Sequence, residues 1–407
     1  MKKFGLLGEK LGHSFSPLIH SMLGDYAYDL CEISPENLSD FLAHNDYDGF
    51  NVTIPYKKMV LSHCDELSEK AKQVGSVNTL IKKQNGSYYG DNTDHDGFSL
   101  MISSIKDNVA GKKAVILGSG GVSSTVKSVL KDLGAKEIIT VSRTGTENYN
   151  NLYLHSDAQI IVNTTPVGVY PNNGDSPINL EFFPYRVFVA DLIYNPARTA
   201  LILQAEKLDI PHASGLLMLV EQARASSELF TEKKIPLERS IEIANMIAKE
   251  TQNIVLIGMP GSGKSSVGKL LSELTGRPFV DIDGEIVKKL GRVIPKILME
   301  RGEEYFRKKE SEVLSEFCKE SGLIIATGGG VVVTPENKEI MRQNSLVVYI
   351  KRDLKELATI GRPISIANGV EELYEMRAPF YESWQDISVE NSDPHLAAQK
   401  IVEELNL

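Results

Sequence analysis

Two segments of this chain place a short apolar run directly before glycines and then before a helical pattern. The first apolar run covers residues 114–117 and leads into glycines at 118–121, and the second covers residues 254–257 and leads into the loop 258–265. In both, apolar residues then recur at the spacing of one helix face. A strand that turns through glycines into a helix opens a nucleotide-binding fold. Because the chain carries two such units, we predict two α/β enzymes in tandem.

The composition argues against several other classes of protein. Hydrophobic residues make up 42% and charged residues 24% of the 407-residue chain, values typical of globular proteins. The net charge of −10 argues against a nucleic-acid partner, because phosphate backbones are bound by clustered lysines and arginines. The cysteines Cys31, Cys64 and Cys318 lack paired spacing, so we expect no disulfide framework and a cytoplasmic location. No signal peptide or membrane span is predicted.

The loop at 258–265 matches the pattern G-x-x-x-x-G-K-[ST]. Its glycines let backbone N–H groups surround phosphate oxygens, and the following helix N-terminus adds its dipole. Lys264 is placed to contact the outer phosphates, and the Ser265 hydroxyl to bind Mg²⁺. A glycine turn without a ligand is the alternative. The pattern predicts that ATP and Mg²⁺ are bound by Gly261, Ser262, Gly263, Lys264, Ser265 and Ser266.

Charged residues and glycines follow this loop in a characteristic order. Residues 279–283 are predicted to form a strand that ends in Asp281 and Asp283, with both side chains pointing the same way. A solvated strand end would explain one such aspartate more easily than two. The later motifs contain Arg307, Gly328, Gly329, Gly330, Arg362 and Arg377.

From about residue 253 to the end of the chain, this set of motifs resembles the shikimate kinase family. The resemblance implies that Asp283 holds the diol of shikimate and takes the proton from its 3-hydroxyl. Arg307 and Arg377 would bind the carboxylate beside the three glycines, since a forked guanidinium matches a planar carboxylate. Asp281 would lie near Mg²⁺ through water, and Arg362 would meet the transferring phosphoryl group from a lid. Between Tyr349 and Arg362 the family commonly has a longer lid and an arginine placed against adenine. Here the segment 357–361 is short and lacks that arginine.

The glycine loop at 118–121 is an incomplete dinucleotide fingerprint, because the third glycine of G-x-G-x-x-G is missing. On this motif alone, dinucleotide binding and a structural turn both stay open. Arg143 follows the next predicted strand, where an NAD enzyme carries an acid. Arg143 suits the 2′-phosphate of NADP, although a plain surface arginine would give the same pattern.

Several short polar motifs precede this loop in the sequence. Ser14 and Ser16 lie on alternate residues, Lys57 follows a predicted strand, and Asp94 lies in the segment 90–97. Each fragment alone is more often turn chemistry than catalysis. In their order and combination they resemble the shikimate dehydrogenase family across residues 1–250.

This second resemblance implies the reversible reduction of 3-dehydroshikimate by NADPH, with Lys57 and Asp94 as the catalytic pair. A lysine ammonium can protonate the alkoxide that forms as hydride arrives, and a nearby carboxylate orients it. The implied substrate-binding residues are Ser14, Ser16, Thr53, Asn78, Tyr194 and Gln222. The implied cofactor-binding residues are Gly118, Ser119, Gly120, Gly121, Val122, Arg143, Thr144, Leu192 and Gly215. Glu147 stands where the family commonly has a second basic residue, so we expect a weaker preference for NADP over NAD.

We therefore predict an α/β chain of three domains that acts on small-molecule substrates in two consecutive reactions. A substrate-binding domain covers residues 1–104 and is completed by helices in 214–250. A Rossmann-type NADP domain covers 105–213, and a P-loop kinase domain with a parallel sheet covers 252–407. Two alternatives stay open: one half is a catalytically silent sensing module, or the substrates are quinate or another polyol acid. The sequence does not decide whether the chain forms a homo-oligomer.

Overall fold

The predicted alternation of strands and helices is present in most of the computed structural model, which describes residues 1–12, 14–357 and 369–407. Contacts divide the chain into two units. Unit 1 comprises Met1–Val167, Ser176–Tyr194 and Gln204–Met246, and unit 2 comprises Gly168–Asp175, Asn195–Leu203 and Ile247–Leu407. Two short segments of the predicted NADP domain therefore group with unit 2. None of the helices in the described residues is long and apolar enough to cross a membrane.

The first sheet of unit 1 has six strands in the order β2-β1-β3-β5-β6-β4. Strand β5 runs antiparallel to both of its neighbours, and a tight turn at residues 83–87 joins it to β6. The strands are β1 Lys3–Gly8, β2 Ala27–Glu32, β3 Gly49–Val52, β4 Glu66–Leu67, β5 Thr79–Lys82 and β6 Tyr88–Asp91. The helices beside them are α1 Ser16–Leu23, α2 Leu38–His44, α3 Glu69–Val74 and α4 Asp94–Met101.

The second sheet of unit 1 is wholly parallel, in the order β11-β10-β9-β7-β8. Apart from Lys113 at the start of β7, the residues of its three central strands are buried, and most of them are apolar, as expected of a sheet covered on both faces. The strands are β7 Lys113–Leu117, β8 Glu137–Val141, β9 Ile160–Asn163, β10 Phe188–Asp191 and β11 His212–Ser214. The helices that follow in sequence are α5 Gly121–Asp132, α6 Ala200–Lys207, α7 Leu216–Thr231 and α8 Glu238–Thr251. Helix α7 packs against α1 and α4.

The sheet of unit 2 is also wholly parallel, in the order β13-β14-β12-β15-β16. Because all five strands are parallel, the loops after β12, β13, β14 and β15 meet at one edge of the sheet. Ligands of such sheets bind at this edge, outside the carboxyl ends of the strands. The strands are β12 Asn253–Ile257, β13 Phe279–Asp281, β14 Ile324–Ala326, β15 Ser345–Lys351 and β16 Ile387–Glu390. The helices are α9 Lys264–Thr275, α10 Ile282–Leu290, α11 Ile294–Lys319, α12 Glu336–Arg342, Val370–Trp384 and Pro394–Leu405.

One local prediction in unit 2 is wrong. Residues 279–283 do not form a single strand, because β13 ends at Asp281 and Asp283 lies in the first turn of α10. The Asp281 carboxylate accepts a hydrogen bond from the Gly284 backbone N–H at 3.2 Å and so caps this helix. An aspartate that can serve as a helix cap ends a strand as readily as it continues one.

Candidate active sites

A cavity of about 660 Å³ in unit 1 brings the predicted dehydrogenase residues together. All eight residues predicted to be catalytic or substrate-binding line it: Ser14, Ser16, Thr53, Lys57, Asn78, Asp94, Tyr194 and Gln222. Five predicted cofactor residues share its wall: Gly120, Gly121, Val122, Leu192 and Gly215. Gly118, Ser119, Arg143 and Thr144 are not part of this wall. The cavity can therefore hold a small polar molecule beside the glycine loop.

Lys57 and Asp94 form an ion pair on the cavity wall. The Lys57 Nζ donates a hydrogen bond to the Asp94 Oδ2 at 2.6 Å, and the two side chains are only 18% and 8% exposed. Asp94 is the first residue of α4, where the helix dipole stabilises a carboxylate. An ammonium has three donors, so Lys57 can hold Asp94 and still donate to a bound molecule. This pair can deliver a proton within the cavity.

The amide of Asn78 has a defined orientation. Its Oδ1 accepts a hydrogen bond from the Thr93 backbone N–H at 2.7 Å, while its Nδ2 donates to the Gln222 Oε1 at 3.4 Å. Ser14 and Ser16 lie side by side, with 3.1 Å between their hydroxyl oxygens. The cavity thus presents amide and hydroxyl groups that suit a hydroxylated carboxylic acid.

Asn51 lines the same cavity and was missed by the sequence reasoning. It lies within the fully buried strand β3, where its Oδ1 accepts from the Tyr28 hydroxyl at 2.8 Å. Its Nδ2 donates to the Thr79 hydroxyl at 3.3 Å. The sequence did contain a usable signal, because segment 49–57 places an asparagine within an apolar strand. A buried amide needs hydrogen-bond partners and is therefore a candidate for a functional residue.

The glycine loop after β7 leaves backbone open at the start of α5. A Cβ placed on Gly120 or Gly121 would have no neighbouring heavy atom within 4 Å among the described residues. Ligand atoms can therefore approach this backbone closely. Gly118 has a φ of +106°, and a Cβ there would lie 2.7 Å from the Thr164 hydroxyl oxygen. Only glycine fits that position. The loop therefore has the shape of an anion site at a helix N-terminus, which fits the pyrophosphate of a dinucleotide.

The residues expected to select NADP lie after β8. Arg143 is exposed, and Glu147 contacts His155, with 2.9 Å between the Glu147 Oε2 and the His155 Nε2. Burial raises the pKa of Tyr149, and the nearby Arg143 opposes that rise. Arg143 is thus accessible to a 2′-phosphate, while Glu147 has a partner of its own.

A second cavity, of about 410 Å³, lies in unit 2 at the carboxyl edge of its sheet. It is lined by twelve of the predicted kinase residues: Gly261, Gly263, Lys264, Ser265, Ser266, Asp281, Asp283, Arg307, Gly328, Gly329, Gly330 and Arg377. Ser262 is fully buried behind the loop. Arg362 lies outside the described residues.

The phosphate loop has the conformation that its glycines predict. Gly258, Gly261 and Gly263 have φ values of +144°, +89° and +91°, a region that other residues rarely adopt. Lys264 folds over the loop, and its Nζ donates to the Gly258 and Met259 carbonyl oxygens at 2.9 Å each. These groups fit the phosphates of a nucleotide.

Ser265 and Asp281 supply oxygen atoms next to this loop. The Ser265 hydroxyl donates to the Asp281 Oδ2 at 2.6 Å. A hydroxyl and a carboxylate beside bound phosphates are the ligands from which Mg²⁺ sites of nucleotide enzymes are built. The residues present therefore fit a magnesium–nucleotide complex.

Buried charges form the remaining wall of this cavity. Glu310 is fully buried, and its Oε2 accepts from the Arg307 Nη1 at 2.7 Å. Arg377 is 5% exposed and donates to the Gly329 carbonyl oxygen at 3.2 Å. The two arginines therefore face the cavity rather than solvent, and they can bind a carboxylate from two sides.

Asp283 has an unusual environment for a carboxyl group. Burial, together with the charges of Glu310 and Asp281, raises the pKa of Asp283 to about 6. Its Oδ1 has no hydrogen-bond partner among the described residues, and neither has the Glu310 Oε1. Unpaired buried oxygens are costly, so this wall is suited to hold a hydroxylated ligand. Sequence reasoning missed Glu310, although its position three residues after Arg307 on α11 was a usable signal.

The folds and cavities define an α/β enzyme in which a dinucleotide-binding dehydrogenase is followed by a P-loop kinase. Family models agree with this class in both parts of the chain. The model "Shikimate dehydrogenase substrate binding domain" matches residues 6–80, and the model "Shikimate kinase" matches residues 260–406.

Individual relatives and solved structures match the N-terminal part. The chain is 34% identical to a shikimate dehydrogenase (NADP(+)) of Clostridium perfringens over 264 residues, which cover 60% of this chain and 97% of that relative. It is 35% identical to the structure of a chorismate mutase/shikimate 5-dehydrogenase fusion protein from Clostridium acetobutylicum, with a TM-score of 0.57 and coverage of 61% and 97%. The shikimate 5-dehydrogenase of Thermus thermophilus, solved with NADP(H) and shikimate, is 28% identical, with a TM-score of 0.55 and coverage of 60% and 99%.

The chain belongs to the shikimate dehydrogenase family, and it continues into a shikimate kinase domain. Both resemblances predicted from the motifs are confirmed, as are the α/β fold class and the enzymatic nature of the chain.

Proposed function

We propose that unit 1 catalyses the reversible reduction of 3-dehydroshikimate to shikimate by NADPH. Unit 2 then transfers the γ-phosphoryl group of ATP to the 3-hydroxyl of shikimate. The observation that carries this proposal is that each unit has a cavity of its own in which the residues for one of the two reactions meet. The product of the first reaction is the substrate of the second.

In the first reaction, bound NADPH would supply a hydride to the carbonyl carbon of 3-dehydroshikimate. As the C=O electron pair moves onto the oxygen, Lys57 gives that oxygen its proton, and the alcohol of shikimate results. Asp94 keeps the ammonium at the place of proton transfer through the 2.6 Å hydrogen bond. We propose that Ser14 and Ser16 bind the substrate carboxylate, and that Thr53, Asn78, Tyr194 and Gln222 bind the rest of the ring.

The same proposal assigns the cofactor to the glycine loop and its neighbours. Gly118, Ser119, Gly120, Gly121 and Val122 would surround the pyrophosphate at the start of α5. Arg143 and Thr144 would bind the 2′-phosphate, with the nicotinamide near Leu192 and Gly215. Leu192 and Gly215 are in close contact, because a Cβ at Gly215 would overlap the Leu192 carbonyl oxygen. This contact supports the proposal that both residues bind the same part of the cofactor.

In the second reaction, Asp283 takes the proton of the 3-hydroxyl while that oxygen forms a bond to the γ-phosphorus. The bond between this phosphorus and the bridging oxygen breaks, and ADP leaves. The raised pKa of Asp283, about 6, makes it a stronger base than an ordinary carboxylate while it stays ionised at neutral pH. Arg307 and Arg377 hold the shikimate carboxylate, and Lys264 stabilises the charge on the phosphates.

The test uses the full chain, because two segments of the dehydrogenase half group with unit 2. Supplied with 3-dehydroshikimate, NADPH, ATP and Mg²⁺, the protein should form shikimate 3-phosphate, detected by mass spectrometry. The variant Lys264→Ala should stop at shikimate, and Lys57→Ala should phosphorylate added shikimate but form none. Matched controls are the exposed lysines Lys269→Ala on α9 and Lys72→Ala on α3, which should behave like the unmodified protein.

Two outcomes would contradict the proposal. If Lys264→Ala abolished NADPH oxidation as well, the two sites would not be independent. If one activity were absent from the unmodified chain while the other persisted, the silent half would be a binding module, which is the alternative left open by the sequence. A higher kcat/KM for quinate than for shikimate would reassign the substrate of unit 1.

We also propose that the protein is cytoplasmic. We further propose that it has three domains: a substrate-binding domain at 1–104 completed by helices in 214–250, an NADP domain at 105–213 and a kinase domain at 252–407. The three cysteines are free thiols, which suits a reducing compartment.

A further inference from the structure

Among the described residues that line the cavity of unit 2, one cation has no task in the proposed reaction. Arg352 follows β15 directly and lines the same cavity as the phosphate loop. Its Nη1 lies 3.9 Å from the position that a Cβ on Gly263 would take. Its Nε lies 3.4 Å from the Glu356 Oε2, so the carboxylate holds the guanidinium beside the loop. The side chain is 28% exposed and therefore still available to a ligand.

The strand order divides this cavity into two sides. The phosphate loop follows β12, which is the central strand. The acceptor residue Asp283 and the glycines at 328–330 follow β13 and β14 on one side of it. Arg352 follows β15 on the other side, and Asn391 follows β16. Asn391 borders the loop, because its Nδ2 donates to the Ser262 carbonyl oxygen at 2.6 Å.

The geometry of phosphoryl transfer gives these two sides different roles. Attacking and leaving oxygens lie roughly in line, so the leaving nucleotide extends away from the attacking hydroxyl. Since the acceptor residues lie on the side of β13 and β14, the nucleoside must extend toward β15 and β16. The guanidinium of Arg352 is the cation that the described structure places there.

We propose that Arg352 stacks its guanidinium plane on the purine ring of the nucleotide and thereby sets nucleotide affinity. This inference rests on the proposed kinase function of unit 2. A guanidinium is planar and weakly hydrated, so it stacks on aromatic faces better than an ammonium does. Glu356 positions the plane, and Asn391 closes the loop edge beside it.

The test separates the purine from the phosphates. Binding of ADP and of inorganic tripolyphosphate to the full chain is measured by calorimetry for the unmodified protein and for Arg352→Gln. We expect the Kd of ADP to rise about 3- to 30-fold, the range of a cation–π contact, while the Kd of tripolyphosphate stays unchanged. Lys355→Gln, which removes an exposed charge nearby, is the matched control and should change neither constant.

Two results would overturn the inference. One is an unchanged Kd for ADP, and the other is an equal loss for ADP and tripolyphosphate, which would make Arg352 a phosphate ligand. The variant Arg352→Lys keeps the charge but loses the plane, so it should resemble the glutamine variant. Full recovery of ADP binding by lysine would also refute stacking.

Kinetics distinguish this inference from the proposed function. Arg352→Gln should raise the KM for ATP and leave both the KM for shikimate and the rate of NADPH oxidation unchanged, and the latter also reports that the chain is folded. An increase in the KM for shikimate alone would contradict the assignment to the nucleoside side. If the unmodified chain phosphorylated no shikimate, the proposed function would fail, whatever the ADP measurements showed.

Discussion

We expect the substitution Asp283→Asn to stabilise unit 2 against unfolding while it abolishes phosphoryl transfer. The folded protein holds the pKa of Asp283 at about 6, above the ordinary value of 3.8, chiefly because of burial. Between these two pH values the folded state binds more protons than the unfolded state, so stability falls as the pH rises through this window. A shift of about two units costs about 3 kcal/mol above pH 6 and almost nothing well below pH 4. Asparagine removes that cost because it cannot ionise.

The assay uses the single tryptophan of the chain, Trp384, which is buried in unit 2. Its fluorescence during urea unfolding reports on unit 2 in the full-length protein. With a slope of about 2 kcal/mol per molar urea, the midpoint for Asp283→Asn should rise by roughly 1–1.5 M at neutral pH. The gain should nearly vanish at about pH 3.

The matched control is Glu304→Gln, which neutralises an exposed carboxylate on α11 and should leave the midpoint unchanged. The reasoning is refuted if Asp283→Asn is no more stable than the unmodified protein at neutral pH. A gain that does not depend on pH would refute it as well, because the stabilisation would then have another cause.

Three further substitutions test the two sites. Lys57→Ala should slow NADPH-dependent reduction about 10²–10⁴-fold, followed by NADPH absorbance, and a near-normal rate would remove Lys57 from the mechanism. Gly330→Ala should raise the KM for shikimate in the kinase reaction about 10- to 100-fold, because a Cβ would overlap the Arg307 guanidinium and displace a charged hydrogen-bond donor. An unchanged KM would mean that Arg307 does not bind this substrate. Glu147→Lys should raise the ratio of kcat/KM for NADPH to that for NADH roughly two- to tenfold, as expected of an exposed charge pair, and a constant ratio would place residue 147 out of reach of the cofactor.

The strongest predictions from the sequence concerned local features. The loop at 258–265 depends on glycines in positive φ and on a helix that starts at Lys264, and both follow from neighbouring residues. The division into a dehydrogenase and a kinase was predicted from ordered motifs and is confirmed by the family comparisons. The error at residues 279–283 was also local, since an aspartate can both end a strand and cap a helix.

The sequence by itself determined which segments form the nucleotide loops, because backbone conformation and helix periodicity are set within a few residues. Only the tertiary structure decided that Glu310 would be buried against Arg307, that Asn51 would line the first cavity, and that Arg352 would border the phosphate loop. The positions of Glu310 and Arg352 depend on a strand order in which β12 lies between β14 and β15, and that of Asn51 depends on a strand order in which β3 lies between β1 and β5. Strand order depends on packing among segments that are far apart in the chain, so it cannot be predicted from a local sequence pattern.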